Sequence, residues 1–301
     1  MDKKNSAGGK NQREAAAEGL KKLLEIYGED HKKLLEEHPD LAYLYALSPQ
    51  RENLLEWYPF RPEGRILQVG SDFGAITGLL ARRAAAVDVL DPSEEDLEVN
   101  RLRHETQAGL SNLRYIRGTL TGGEPLPEAA YDYVVIAGSL GGEPEEELKA
   151  ARRLLAPEGE LLTAVCNPFG LKYWAGARRD ACGLPWNRLR QALLAEGGVM
   201  DCYYPMPDWR LPVTIFSDRY LPGKGDLTDT ITAYDYPPYL FVDVGAAYDA
   251  VCADGQFPAY AGAYLTVWRR EGTGPETPQY VKYNRTRRER FQIRTAIYGG
   301  P

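Results

Sequence analysis

The stretch Arg65–Asp91, RILQVGSDFGAITGLLARRAAAVDVLD, decides the fold. Arg65–Val69 is a short apolar run closed by Gly70, the form taken by a strand buried on both faces. A turn holding Gly70 and Gly74 leads into a helix over Ala75–Arg83, and Ala86–Leu90 reads as a second strand ending at Asp91. Outward from this unit the alternation continues. Glu94–Gln107 reads as a helix, Leu113–Arg117 as a strand, Tyr131–Ala137 (YDYVVIA) as a strong strand, and Glu143–Leu155 as a helix closed by Pro157 and Gly159. Glu160–Cys166 is the next strand. Strands alternating with helices specify βαβ units and a doubly wound, mostly parallel α/β sheet covered on both faces.

The flanks are less regular. Residues 1–12 carry no periodicity and read as a disordered terminus. In REAAAEGLKKLLEIY (Arg13–Tyr27), Leu20, Leu23, Leu24 and Tyr27 form one apolar helical face. Further helices over Asp30–Glu37, Leu41–Leu47 and Glu52–Trp57 complete a helical N-terminal cap over 13–60. The main domain spans 61–270. After Cys166 it holds a helix over Arg188–Glu196, the start of a strand at Asp201–Tyr204, and a Pro- and Tyr-rich insertion over about 205–256. A helix at Tyr248–Ala253 and a final strand at Ala263–Arg269 close it. Residues 271–301 form a basic extension with Lys282, Arg285, Arg287, Arg288, Arg290 and Arg294.

Composition excludes several classes. The 301 residues are 44% hydrophobic and 11% aromatic, enough for a sizeable core. Lys and Arg number 36 against 43 Asp and Glu, so net charge is −7 and a general nucleic-acid binder is disfavoured. No apolar run has membrane-spanning length, and polar Met1–Asn11 lacks the apolar core of a signal peptide, so a cytoplasmic protein is expected. Cys166, Cys182, Cys202 and Cys252 are scattered, form no CxxC pair, and have no zinc-like spacing with His31, His38 or His104. They read as reduced thiols, and no metal site is expected.

Ligands of an open parallel sheet sit at the carboxyl ends of its strands. Gly70 and Gly74 let backbone approach a ligand there, and Asp91, 21 residues beyond Gly70, is placed to accept both hydroxyls of a ribose. The spacing is Gly70-x-x-x-Gly74 with Asp72 in the turn, and a carboxylate there repels a pyrophosphate. A phosphate-free ligand with a sulfonium and an amino acid is better tolerated, which favours S-adenosyl-L-methionine over NAD.

ILQVGSDFGAITGLLA followed by VDVLDPSEEDLEVNRLRH resembles motifs I and II of class I S-adenosylmethionine-dependent methyltransferases. YDYVVIAGSL resembles their fourth strand, and RRLLAPEGELLTAV their following turn and fifth strand. RENLLEWYPF, NPFGLKYWAGA and YYPMPDWRLPVTIFSD resemble a bacterial subgroup found with glycosyltransferases of surface-glycan pathways. The resemblance implies a seven-stranded Rossmann-like sheet, its last two strands an antiparallel pair after the insertion, with the cap closing over the cofactor. It places Gly70 and Gly74 at the methionine moiety, Ser71 among the other cofactor contacts, Asp91 on the ribose, and Pro92, Ser93, Thr119 and Leu120 near the adenine. Ala137, Gly138, Ser139 and Leu140 would face the sulfonium methyl and the acceptor. No catalytic residue is assigned, because the sulfonium is already activated and rate comes chiefly from positioning.

The departures are specific. Gln68 stands where the family has an acid, Asp72 where it has a glycine, Gly141 and Gly142 where the subgroup has an acid and an aromatic, and residues 180–183 (DACG) where it has a His-containing string. Gln68 removes a carboxylate partner for the cofactor's ammonium, and Asp72 is the candidate replacement. Candidate acceptor contacts are His104, either a base or a solvated helix residue; Asn167, Tyr173 and Trp174, either stacking platform or plain packing; and Tyr204, in a string that is either a lid or a rigid turn. The expected activity is methyl transfer to a small-molecule or glycan-type acceptor. The competing reading is a degenerate fold that binds the cofactor or a protein partner, and a dimer or docking through the basic extension stays open.

Overall fold

The computed structural model of the chain describes residues 3–138, 140, 143–179, 183–229, 234–284 and 289–299. Its strands are β1 (Arg65–Val69), β2 (Ala86–Asp91), β3 (Leu113–Thr119), β4 (Gly122–Gly123), β5 (Tyr131–Ala137), β6 (Leu155–Cys166), β7 (Val199–Met206), β8 (Thr214–Ser217), β9 (Ala263–Arg269), β10 (Tyr280–Asn284) and β11 (Ile293–Ile297). They form one sheet in the order β11-β10-β8-β7-β9-β6-β5-β1-β2-β3-β4. The run β6-β5-β1-β2-β3 is parallel, and the order reverses at β1, which pairs β2 on one side and β5 on the other. Alternation along the buried strands feeds two apolar layers. Leu67, Val69 and Leu90 point to one, Ile66, Val87 and Val89 to the other.

The helices are α1 (Lys3–Tyr27), α2 (His31–Glu37), α3 (Leu41–Leu47), α4 (Thr77–Arg83), α5 (Glu94–Arg101), α6 (Pro144–Leu154), α7 (Leu171–Trp174), α8 (Trp186–Leu194), α9 (Val244–Ala253) and α10 (Phe257–Tyr260). Asp30, Asp40 and Ser93 cap α2, α3 and α5 by accepting backbone N–H groups, the usual way an exposed helix start is satisfied. Helix α1 begins inside the stretch read as a disordered terminus. The cap rests on the site itself, since Ala17, Leu20, Leu24, Leu34, Ala46 and Leu47 pack with Phe73 of the first turn and Val99 of α5.

The sheet corrects two expectations. It has 11 strands among the described residues, not seven. The expected antiparallel pair exists as β7 and β9, but the insertion lies between them instead of before both, with β9 slotted between β6 and β7. The string Tyr203–Met206 is part of β7, and the insertion at once returns as β8. Ala263–Arg269 is not the last strand, because the basic extension adds β10 against β8 and β11 against β10. The reason is visible in β10, where buried Val281 and Tyr283 alternate with half-buried Lys282 and Asn284, a strand pattern that the density of arginines obscured.

Candidate functional site

A cavity of about 710 Å³ opens at the carboxyl ends of β1, β2, β3 and β5, at the reversal point of the sheet. Its lining includes Gly70, Asp72, Asp91, Pro92, Ser93, Thr119, Leu120, Ala137 and Gly138, nine of the residues expected there from sequence.

The turn after β1 is backbone-strained. Asp72 and Phe73 have φ of +45° and +55°, and Gly70 and Gly74 have +84° and +81°. A non-glycine residue holds such a conformation only where its surroundings over-determine it. Here they do. Gln68 Nε2 donates to the Gly70 carbonyl at 3.0 Å, and its Oε1 accepts from Thr77 Oγ1 at 2.8 Å. Asn100 Nδ2 reaches both Ser71 Oγ (3.0 Å) and Thr77 Oγ1 (2.8 Å), and Arg103 donates to the Phe73 carbonyl. Gln68 and Ser71 are therefore buried under the turn, outside the cavity lining. Gly74 also lies off the lining, and a Cβ there would sit 2.8 Å from His104 Nε2. His104 meets the Gly74 carbonyl at 2.7 Å. Burial, reinforced by Arg103, lowers its pKa to about 3, so the ring is neutral and braces the turn from behind.

Asp91 ends β2 with 5% of its surface exposed. Its Oδ2 accepts the Ser71 N–H at 2.6 Å and its Oδ1 the Ser93 N–H at 2.8 Å. Burial raises its pKa to about 6 despite those two donors. Asp72 is held differently. Buried Arg51 donates to its Oδ2 at 2.7 Å, and Arg13 of α1 approaches its Oδ1 at 3.4 Å. Burial opposes its charge, but Arg51 and Arg13 outweigh that and keep its pKa below the usual carboxylate range. Asp72 is thus already engaged by two guanidinium groups.

The end of the cavity beside Gly138 is closed by Trp209, from the insertion. Its ring lies so close to Gly138, where φ is +74°, that a Cβ there would fall 2.1 Å from Cζ2. Arg51 and Arg210 stack on the same ring at 4.7 and 4.6 Å, and Nε1 donates to Cys166 Sγ at 3.2 Å. Lys172 fixes this segment from below. Buried Nζ stands 2.9 Å from both Asp208 and Asp235, while Asp208 Oδ1 accepts the N–H of Arg210 at 2.9 Å.

The acceptor candidates are not brought together. Asn167 is fully buried, donating to the Ala259 and Ala261 carbonyls at 2.9 Å each. Tyr204 is buried in β7 and donates to Asp218. Tyr173 is half-buried with Lys172 Nζ 5.1 Å from its ring centre, and Trp174 is exposed with Nε1 donating to the Phe169 carbonyl. None of these, nor His104, lines the cavity. Ser139, Gly141, Gly142, residues 180–182, Arg285, Arg287 and Arg288 lie outside the described residues.

Sequence reasoning passed over Arg13, Asp96, Glu147, Trp209 and Arg210, which do line it. For Arg13 a signal existed. It stands one step before Ala17, Leu20 and Leu24 on the stripe that becomes buried, and an arginine on an apolar stripe implies a buried partner. That partner is Asp96, 2.8 Å from Arg13 Nε.

Residues 66–159 match the model of a methyltransferase domain. Over 126 residues the chain is also 28% identical to the ubiquinone biosynthesis O-methyltransferase of Saccharophagus degradans, covering 41% of this chain. The chain spans about half of that relative's length, 52%. A S-adenosylmethionine-dependent methyltransferase of Thermotoga maritima superposes with a TM-score of 0.48 at 13% identity, over 84% of this chain and 100% of that one. The geranyl diphosphate C-methyltransferase of Streptomyces coelicolor, solved with S-adenosyl-L-homocysteine, gives 0.46 at 14% identity, over 77% and 83%.

S-adenosylmethionine is the cofactor of such a domain, and the lining fits it. The volume is that of a small-molecule site. Val69, Leu90, Pro92, Leu120 and Ala137 supply apolar wall for a purine, and Glu14, Asp72, Asp91, Glu95, Asp96 and Glu147 outnumber Arg13, Arg117 and Arg210, which suits a ligand of net positive charge. No helix among the described residues is long and apolar enough to cross a membrane.

Proposed function

We propose that this chain transfers a methyl group from S-adenosylmethionine to a small-molecule or glycan-type acceptor. The observation that carries the reading is Asp91 at the end of β2, pinned by two backbone N–H groups on the wall of a cavity at the sheet's reversal point. When bound, the cofactor supplies a methyl already activated on a sulfonium. The chain's residues then have four tasks. Asp91 takes the ribose hydroxyls, Pro92, Thr119 and Leu120 pack on the adenine, Ala137 and Gly138 border the reacting carbon, and Trp209 keeps water from it. The acceptor class rests on the resemblance to the glycosyltransferase-associated subgroup.

The degenerate reading is not favoured. Gln68 does not leave a gap in the first turn but stitches it through both ends of its amide. Titration calorimetry with S-adenosylmethionine and S-adenosylhomocysteine tests the proposal, followed by an acceptor screen for methyl transfer. Binding at micromolar strength is expected. Asp91→Ala is expected to weaken it by roughly tenfold or more while the protein stays folded. An unchanged dissociation constant in that variant places the site elsewhere.

A further inference from the structure

Tyr239 and Phe241 are the two most exposed large apolar residues among the described residues, at 84% and 83%, and Leu240 between them is exposed too. They form the tip of Tyr236–Val242 (YPPYLFV), a stretch without a charged side chain. Tyr236 and Val242 pack on the core, so the stretch is anchored at both ends and open at its tip. Pro237 and Pro238 stiffen it and remove two backbone N–H groups. The acids that flank it are turned to internal work. Asp235 Oδ2 stands 2.9 Å from buried Lys172 Nζ, and Asp243 Oδ1 accepts the Ala246 N–H at 3.0 Å.

The tip is fastened to a second exposed aromatic segment. The Phe241 N–H donates to the Ala175 carbonyl at 3.2 Å. Gly176, with φ of +108°, lies so near the Phe241 ring that a Cβ there would fall 3.0 Å from Cδ2 and Cε2. Just before this junction stand Trp174 and Phe169, both exposed, and just after it Arg178 and Arg179, exposed as well. One surface therefore combines Trp, Tyr, Phe and Leu side chains with two cations beside them.

A contiguous exposed patch of this kind marks an interaction surface. Rings that project with four-fifths of their area open are not enclosed by a small ligand, whereas a soft, flat surface meets them all at once. At a bilayer surface Phe and Leu find hydrocarbon, the polar edges of Trp and Tyr stay at headgroup level, and arginines meet lipid phosphates. Backbone groups of the tip need partners, which limits insertion to the hydrated interface. A second copy fits less well, because a two-fold contact brings the same two arginines together from both sides.

We propose that Trp174, Tyr239, Leu240 and Phe241, with Arg178 and Arg179, dock the chain peripherally on an anionic lipid bilayer. The proposal does not rest on the methyl-transfer reading.

Flotation of the full chain with vesicles of phosphatidylcholine, and of phosphatidylcholine mixed with phosphatidylglycerol, tests it. Wild type is expected to float with the mixed vesicles and less with the neutral ones. Tyr239→Ser with Phe241→Ser should lower partitioning on both about tenfold or more, since binding scales with the apolar area inserted. Arg178→Gln with Arg179→Gln should remove the preference for phosphatidylglycerol, about tenfold, and leave binding to neutral vesicles unchanged. Trp174 is the exposed one of the five tryptophans, so lipids brominated on their acyl chains should quench its fluorescence. Trp174→Phe should lose that quenching and still float. The proposal is overturned if wild type floats with neither vesicle, if the serine variant keeps its wild-type melting temperature and floats as wild type does, or if wild type floats without quenching. The last reading needs no variant to fold. A wild-type dimer that does not float, and that the serine substitutions break, assigns the patch to a second copy instead.

Discussion

Asp91 and Asp72 line one cavity from neighbouring turns, and their surroundings drive them in opposite directions. Among the described residues the hydrogen-bond donors to Asp91 are two neutral backbone N–H groups, and burial lifts its pKa to about 6. Asp72 meets Arg51 and Arg13, and its pKa falls below the usual range although burial works against it. Asp91 bears a charge that the fold tolerates at a cost, on the wall of the cavity where the proposed function puts a sugar's hydroxyls. Asp72 bears a charge that the fold requires, because a buried arginine depends on it. A carboxylate in a pocket is thus not a binding group by virtue of its position alone. Its partners decide whether it serves the ligand or the scaffold.

Neutralising each carboxylate in turn separates the two roles. Asp72→Asn leaves Arg51, with 1% of its side chain exposed, without its counter-charge. Breaking one side of a buried pair costs about 3–5 kcal/mol, and since the Asp72 side chain is 29% exposed we expect the lower part of that range or somewhat less, read as a shift in the urea midpoint. Asp91→Asn removes a charge that burial penalises but turns an amide NH2 against one of its two backbone donors, so the same measurement should show a smaller loss, about 1–2 kcal/mol. Equal destabilisation by the two substitutions breaks the comparison. Arg51→Met should sharpen it, since in that background Asp72→Asn loses most of its effect by double-mutant cycle.

What the sequence made legible follows the same division. β1, its turn and Asp91 are local, being an apolar run, two glycines and an acid at nucleoside-site spacing, and all fall where the pattern placed them. The environment of Asp72 is assembled from residues 13, 51 and 210, and no spacing rule links those positions. Only Arg13 left a trace, as a charge on an apolar stripe. Asn167 and Tyr204 were misleading for a related reason. Their position after or within a central strand suggests a site, but their partners Ala259, Ala261 and Asp218 turn them into internal ties. β10 is obscured because its alternation lies within an arginine-rich stretch, and β11 buries none of its residues, so it has no alternation to read.

The smallest effect is the most discriminating, because stability and affinity should move apart with pH. The folded-state pKa of Asp91 lies above its ordinary value of 3.8, so the fold binds this proton more tightly than the unfolded chain does. Its ionisation therefore costs stability as pH rises through about 4 to 6, and that cost is relieved as pH falls. Asp72 has the reverse sign. Its contribution is in place above its unfolded pKa and is lost only below the ordinary carboxylate range. Between about pH 7 and 5, Asp91 takes up its proton while Asp72 stays charged. Asp96, also raised by burial, titrates in the same direction as Asp91, and Arg13 stays charged beside it. Nucleoside affinity should fall roughly two- to tenfold over that interval, as a protonated Asp91 gives up an acceptor, while the melting temperature holds or rises. Asp91→Asn should flatten the affinity profile. A melting temperature that drops together with affinity, and still drops in Asp91→Asn, means that the titrating group belongs to the Asp72 corner and is not Asp91.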